Sequence, residues 1–182
     1  MPENLYFLAL VPPAPIANQV QEFRQIMVDR YKSKHALKSP PHITLIPPFW
    51  WEDHNLDELA SDLRTWASQQ KPFDLKLHDF NCFKPRVIFV DIEESEDLTA
   101  MQLDLRTFLQ ERWDLDPDRR STFHPHMTIA FKDLKPRSFY QAWDFFKNQK
   151  YEGTFKVEQL TLLKHTLGQW TKEIDLSFGH PL

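Results

Sequence analysis

The chain has 182 residues, a length that suits one domain, or two small packed lobes, with a sizeable core. Hydrophobic residues make up 41% and charged residues 26%, a composition that excludes a disordered chain. The formal net charge of −4 argues against tight binding to long nucleic acid through phosphate neutralisation, but it leaves open a small or terminal phosphate held by a few cations.

The use of particular residue types excludes further classes. Only three glycines occur, so the chain has no glycine-rich phosphate loop, and the single Cys82 cannot form an internal disulfide. No apolar run approaches the roughly 20 residues of a membrane span, and residues 1–10 lack the basic start of a signal peptide. We therefore expect a cytoplasmic protein without a membrane partner. The sequence does not fix the oligomeric state, for which a monomer is our default.

The chain begins with a predicted strand, a helix and a second strand. An apolar run at residues 5–10 is typical of a buried strand. Apolar residues recur at helical spacing over residues 15–31 and predict a helix. The polar residues 32–41 then lead to a strand that we expect Pro47-Pro48 to end.

A helix over residues 55–69 and a strand over residues 73–77 complete the first half. The second half repeats the order, with a strand at residues 86–92 and a helix at residues 98–109. A polar loop at residues 114–120 leads to another strand that begins with a histidine.

Three elements are predicted after that strand. Ser138 is expected to cap a helix, and the apolar residues 155–163 predict one strand. Gly168 is expected to turn the chain into a last strand over residues 170–178.

Corresponding elements of the two halves lie at nearly equal separations along the chain, which indicates an internal duplication of residues 1–82 and 83–182. We therefore expect a single domain of the α/β (α+β) class with two lobes and an approximate two-fold axis. Two mainly antiparallel sheets, flanked by helices, would enclose a central cleft.

The sequence His-x-Thr occurs twice, as His42 with Thr44 and as His126 with Thr128. Side chains alternate between the two faces of a strand, so each histidine shares a face with its threonine while the aliphatic neighbours point the other way. A two-fold arrangement would bring the two His-Thr faces together across the cleft.

This pairing suits a phosphodiester. One neutral imidazole can take a proton from an attacking water or hydroxyl, and the other, as imidazolium, can protonate the departing oxygen. The threonine hydroxyls can donate to the non-bridging oxygens, where charge builds in the transition state. This chemistry requires no metal, and we expect no cofactor.

With these motifs the chain resembles the 2H phosphoesterases, which include the bacterial 2′-5′ RNA ligase and cyclic nucleotide phosphodiesterase branches. The resemblance also covers residues 7–10, residues 84–90 and the closing hairpin. It implies a bilobal α/β fold, metal-free catalysis by both histidines, and nucleoside or RNA 2′,3′-cyclic phosphates as substrates.

Two positions depart from the family pattern. Members often read Thr-Leu-Ala-Arg at the second motif, whereas here Phe131 stands at the arginine position and Lys132 follows. Many members also carry a serine in the penultimate strand, where this chain reads Leu163-Lys164-His165.

Four residues are candidates for substrate binding. Arg86 and Lys164 could hold a terminal phosphate or the RNA backbone. Lys132 either faces the cleft or is an ordinary solvated lysine. Phe49 could stack on a base, although filling the core is the more frequent fate of such a residue.

His124 raises a metal-binding alternative. It lies two positions before His126 and could share a metal with it, but the sequence offers no third ligand. We therefore predict no metal site and interpret His124 as exposed or capping.

These observations favour a metal-independent phosphoesterase that hydrolyses 2′,3′-cyclic phosphates of RNA ends or small nucleotides. One alternative is reversible 2′-5′ RNA ligation, the same displacement with an RNA hydroxyl in place of water. A second alternative is a non-catalytic module that binds RNA ends.

Overall fold

Two four-stranded antiparallel sheets form the frame of the protein, whose computed structural model describes residues 3–117 and 122–179. The strands are β1 (Glu3–Leu10), β2 (Ile43–Glu52), β3 (Phe73–Phe83), β4 (Val87–Ile92), β5 (His126–Ala130), β6 (Glu152–Val157), β7 (Gln159–Thr166) and β8 (Gln169–Ser177). The helices are α1 (Ala14–Tyr31), α2 (Leu56–Ser68), α3 (Glu96–Trp113) and α4 (Pro136–Phe146). The predicted fold class, with two antiparallel sheets flanked by helices, is confirmed.

The strand order places each His-x-Thr motif at the edge of its sheet. The first sheet has the order β2-β1-β7-β8 and the second has the order β5-β4-β3-β6. The edge strands β2 and β5 contact each other, so the two motifs meet where the sheets meet.

Strands from both sequence halves contribute to both sheets. The first sheet joins β1 and β2 to β7 and β8, while β3 belongs to the second sheet. The sheets therefore do not follow the expected boundary near residue 82, and the internal duplication itself stays a prediction.

Helices cover one face of each sheet. α2 packs on β8 and α3 on β2, whereas α1 packs on β5 and α4 on β4. The apolar faces beneath these helices form one continuous core. The opposite face of the first sheet carries a separate small cluster of Phe7, Ala9 and Leu163.

Strand β2 does not end at the two prolines, as we expected, but continues to Glu52. Bulges in the β1–β2 ladder accommodate them, since Leu8 pairs with Ile46 and Tyr6 pairs with Phe49. A proline lacks the N–H that an inner strand must donate, but an edge strand tolerates it at a bulge.

Two smaller expectations are also wrong. Ser138 caps no helix, because α4 begins at Pro136 with Lys135 as its N-cap. The single strand expected over residues 155–163 is two strands, β6 and β7, which belong to different sheets. The polar loop expected over residues 114–120 lies partly outside the described residues.

Candidate active site

A cavity of about 400 Å³ opens where β2 and β5 meet. His42, Thr44, His126 and Thr128 all line it, so the structure brings the two predicted His-Thr pairs together. Strand alternation explains this placement, because the residues between and after them are buried in the core: Ile43, Leu45, Met127 and Ile129.

Each of the two candidate catalytic histidines is held by a hydrogen bond from its ring to a backbone carbonyl two residues earlier. His42 Nδ1 donates to the Pro40 carbonyl over 2.8 Å, and His126 Nδ1 donates to the His124 carbonyl over 2.7 Å. A carbonyl oxygen only accepts, so Nδ1 carries the proton and Nε2 of the neutral ring is free to accept one. The two imidazoles are thereby fixed in the tautomer that acid–base chemistry at Nε2 requires.

Burial makes both imidazoles less basic than free histidine. Desolvation lowers the pKa of His42 to about 4, and the charge of Arg24 and the neighbouring His126 act in the same direction. Desolvation also lowers the pKa of His126, while its bond to the His124 carbonyl opposes that shift. His42 is therefore neutral at physiological pH.

Aromatic rings support each histidine. The ring of Phe7 lies 4.9 Å from that of His42 and 4.6 Å from that of Trp170. On the other side, the rings of Phe83 and Phe89 lie 5.1 Å and 5.0 Å from that of His126. Trp170 and Phe7 also line the cavity, and sequence reasoning missed both.

Arg24 is the most important candidate site residue that sequence reasoning missed. This α1 residue is only 1% exposed, yet it lines the cavity. Its Nε donates to the Thr128 carbonyl over 3.1 Å and its terminal nitrogen donates to the Ser39 carbonyl over 2.7 Å. Burial lowers its pKa to about 10, so the guanidinium stays charged at neutral pH.

The sequence contained a signal for Arg24. It shares the buried stripe of α1 with Val20 and Met27, at helical spacing from both. An arginine on an apolar face is rarely buried without a partner. Among the described residues, no carboxylate forms an ion pair with it.

Further cations line the same cavity. Lys132 does so, which matches the alternative in which it faces the cleft. Its backbone is left-handed, with φ of 52°. Lys38 and His35, from the short 3₁₀ turn His35–Lys38, also line it. The described residues of the lining include no aspartate or glutamate, so the ionisable lining is entirely basic or neutral.

The other three substrate-binding candidates lie elsewhere. Arg86 is exposed in the turn before β4 and is not part of the lining. Lys164 points away from the cavity, with its Nζ 3.5 Å from Asp53 and 5.4 Å from the centre of the Tyr6 ring. Phe49 is 4% exposed and packs in the core against Tyr6.

His124 contacts the same aromatic residues as His126 but makes no visible metal site with it. Their ring centres lie 6.4 Å apart, and His126 Nδ1 already bonds to the His124 carbonyl. Within residues 3–117 and 122–179, no three histidine, cysteine or acidic side chains cluster as metal ligands would.

Comparison with known proteins identifies the family. The sequence profile described as the 2′-5′ RNA ligase superfamily matches residues 12–169. The chain belongs to this superfamily. The resemblance to 2H phosphoesterases that the two His-x-Thr motifs indicated is thereby confirmed.

Relatives of this superfamily member include bacterial proteins provisionally named phosphoesterases. One from Geobacillus sp. (strain WCH70) is 29% identical over 169 residues, which cover 91% of each chain. One from Bacillus pumilus (strain SAFR-032) is 32% identical over 172 residues, which cover 91% of this chain and 92% of the relative. The family is one of enzymes, whose names include phosphoesterases and RNA ligases.

Solved structures share the fold. Escherichia coli LigT complexed with 3′-AMP superposes with a TM-score of 0.70 and 16% identity, covering 97% of this chain and 99% of LigT. A protein of Thermus thermophilus superposes with a TM-score of 0.66 and 18% identity, covering 95% of this chain and 97% of the other.

No helix in the described part of the chain is long and apolar enough to cross a membrane.

Proposed function

We propose that this protein hydrolyses 2′,3′-cyclic phosphates of RNA ends or nucleotides with its two histidines as acid and base and without a metal. The observation that carries the proposal is the matched pair of imidazoles, each fixed through Nδ1 to a backbone carbonyl and each accompanied by a threonine in one cavity. Two positioned proton-transfer groups suffice for this reaction.

The proposed reaction begins with His42 as the base, since it is the more strongly shifted toward the neutral form. Its Nε2 takes a proton from water as the water oxygen attacks phosphorus. The bond from phosphorus to one ribose oxygen breaks, and that oxygen takes a proton from Nε2 of protonated His126. The product is a nucleotide phosphomonoester, and one proton passes from His42 back to His126 before the next turnover.

Three groups would stabilise the transition state. The hydroxyls of Thr44 and Thr128 can donate to the non-bridging oxygens as charge builds there. The buried guanidinium of Arg24 adds a fixed positive charge that no carboxylate in the described residues neutralises. In this role Arg24 stands in for the arginine that the family pattern places at the position of Phe131.

Ligation is a second candidate, and a specific observation favours it. A further depression of about 400 Å³, lined by Phe83, Phe123 and His124, shares Thr44 and His126 with the cavity. A phosphate between the histidines could therefore carry groups on both sides. An RNA 5′-hydroxyl would replace water, and the bond from phosphorus to the 3′ oxygen would break to leave a 2′-5′ linkage.

Relatives are consistent with a nucleotide ligand. The solved complexes of Escherichia coli LigT contain 3′-AMP, ATP, phosphate or NADP⁺. The charged lining of the cavity in the present chain suits ligands of the same type.

The experiment that tests the proposal is a product assay on the four nucleoside 2′,3′-cyclic phosphates, with the position of the product phosphate identified by chromatography. We expect turnover without added metal and after EDTA treatment. A parallel incubation with RNA ends that carry a 2′,3′-cyclic phosphate and a 5′-hydroxyl detects ligation. Binding without turnover of any of these compounds would contradict the proposal and leave the non-catalytic binding module.

A further inference from the structure

Positive charge in the cavity exceeds what one cyclic phosphate requires. A cyclic phosphodiester carries a single negative charge, and Arg24 already meets it beside the two histidines. Lys38 and Lys132 add two more permanent charges to the lining of the same cavity. In a chain whose net charge is −4, this local excess of cations indicates a ligand with additional negative charge.

The two lysines belong to one cluster, centred on His35. The ring of His35 lies edge-on to that of Phe131, with centres 4.9 Å apart, and Lys132 Nζ lies 5.5 Å from the centre of the Phe131 ring. The pKa of His35 is lowered, first by burial and then by the charges of Lys132 and Lys38, while the charge of Asp133 acts in the opposite direction. Both lysines are thus close enough to His35 to repel its proton.

The carboxylate beside this cluster is already engaged. Asp133 accepts a bond of 2.7 Å from the Ser33 hydroxyl and bonds of 2.9 Å from the backbone N–H groups of Lys34 and His35. It fixes the 3₁₀ turn and does not line the cavity. Lys38 and Lys132 form no ion pair with any described residue.

The side of the cavity formed by β1 and β8 is aromatic rather than cationic. There, the rings of Phe7 and Trp170 line the cavity, and the Phe7 ring lies against that of His42, whereas Lys132 lies over the Phe131 ring. The cavity therefore offers aromatic surface to a base or ribose and a separate cationic surface to an anion, with the histidine pair as part of the same lining.

We propose that Lys38 and Lys132 bind a second phosphate group of the substrate, the one on the 5′ oxygen of the nucleotide whose ribose carries the cyclic phosphate. The inference rests on the proposed function. In such a nucleotide the 2′ and 3′ oxygens already bond to the reacting phosphorus, so the 5′ oxygen is the ribose position left for another phosphate. An RNA end carries this phosphate as its last internucleotide linkage, and a free nucleoside 2′,3′-cyclic phosphate lacks it.

Three probes test the second phosphate site: adenosine 2′,3′-cyclic phosphate, its 5′-phosphorylated form, and the dinucleotide ApA ending in a 2′,3′-cyclic phosphate. The measured quantity is the ratio of kcat/KM for each phosphorylated probe to that for the unphosphorylated one. We expect a ratio of about 10 or more in the wild type, the size of one charge-assisted contact. The dinucleotide distinguishes an internucleotide phosphodiester from a terminal monoester.

Lys38→Met and Lys132→Met should each reduce this ratio, and the double variant should bring it close to one. Lys34→Met is the matched control, because Lys34 lies in the same segment but does not line the cavity, and it should keep the wild-type ratio. A wild-type ratio near one, or a ratio that both lysine variants preserve, would overturn the inference. Either result is compatible with hydrolysis of the unphosphorylated probe, so it would leave the proposed function standing.

Discussion

The side chain of Arg24 on α1 donates to the backbone carbonyl of Thr128, 3.1 Å away on β5. The same guanidinium reaches the Ser39 carbonyl, just before the first motif. One buried cation thus ties both His-x-Thr segments to a helix and places a positive charge beside the candidate catalytic groups.

Arg24→Met should lower kcat/KM by roughly 10²–10³-fold, the usual effect of removing one preorganised donor to a developing oxyanion. It should also move the acid limb of the pH profile upward, because the charge of Arg24 contributes to the lowered pKa of His42. Arg24→Lys should retain the charge and recover part of both effects. Steady-state kinetics from pH 3.5 to 8 measure these changes.

Arg30→Met is the control for Arg24, since Arg30 is an exposed arginine on the same helix. A variant of Arg24 that loses thermal stability but keeps the wild-type kcat/KM and pH profile would show that this arginine is only structural.

The pH dependence of kcat/KM should be a bell centred on the acid side of neutrality. Activity should rise with pH as His42 loses its proton near pH 4. It should fall again as His126 loses its proton, at a pH below the ordinary histidine value of about 6.5 because burial lowers its pKa. A profile that is flat from pH 3.5 to 8, with chemistry rate-limiting, would be incompatible with a titrating histidine pair.

Stability should also depend on His42. Its pKa is about 4 in the folded protein and about 6.5 when unfolded, so the unfolded chain binds more protons between these pH values. The free energy of unfolding should therefore fall as pH drops from 6.5 to 4, by up to about 3 kcal/mol from this one residue. The free energy of unfolding, measured by urea titration at several pH values in this range, should have a shallower slope against pH for His42→Asn than for the wild type. Equal slopes would mean that His42 is not held neutral by burial.

Thr44→Val and Thr128→Val should each lower kcat/KM by roughly 10-fold or more while the shape of the pH profile stays the same. Each substitution removes a hydroxyl donor near the phosphate but no titrating group. Thr107→Val, which changes an exposed threonine on α3, provides the control. Wild-type kinetics in both cavity variants would remove the threonines from the mechanism.

Local pattern was enough to predict the placement of the histidines and threonines. A strand buries alternate residues, and the aliphatic residues beside His42 and His126 left only one face for the imidazoles. Helical spacing likewise predicted the buried face of α1. These features depend on neighbours in sequence, which a single chain reveals.

Relations between distant strands were not predictable in the same way. Lys164, in the penultimate strand, was a candidate for substrate binding, but its pairing opposite Tyr6 puts it on the face away from Phe7 and the cavity. Arg24 approaches the motifs because α1 packs on β5, and Lys38 does so because the 3₁₀ turn His35–Lys38 also contacts β5. Charge placed by tertiary packing leaves little trace in the sequence pattern, apart from an arginine on an apolar stripe.

The central claim is that His42 and His126 act together on one phosphate. Its most direct test is kcat/KM for adenosine 2′,3′-cyclic phosphate in the wild type, His42→Ala, His126→Ala and the double variant, with the exposed His78→Ala as control. We predict a loss of roughly 10²–10⁴-fold in each single variant, and a loss in the double variant far smaller than the product of the two. Wild-type turnover by either single variant, with its circular dichroism spectrum unchanged, would contradict the account.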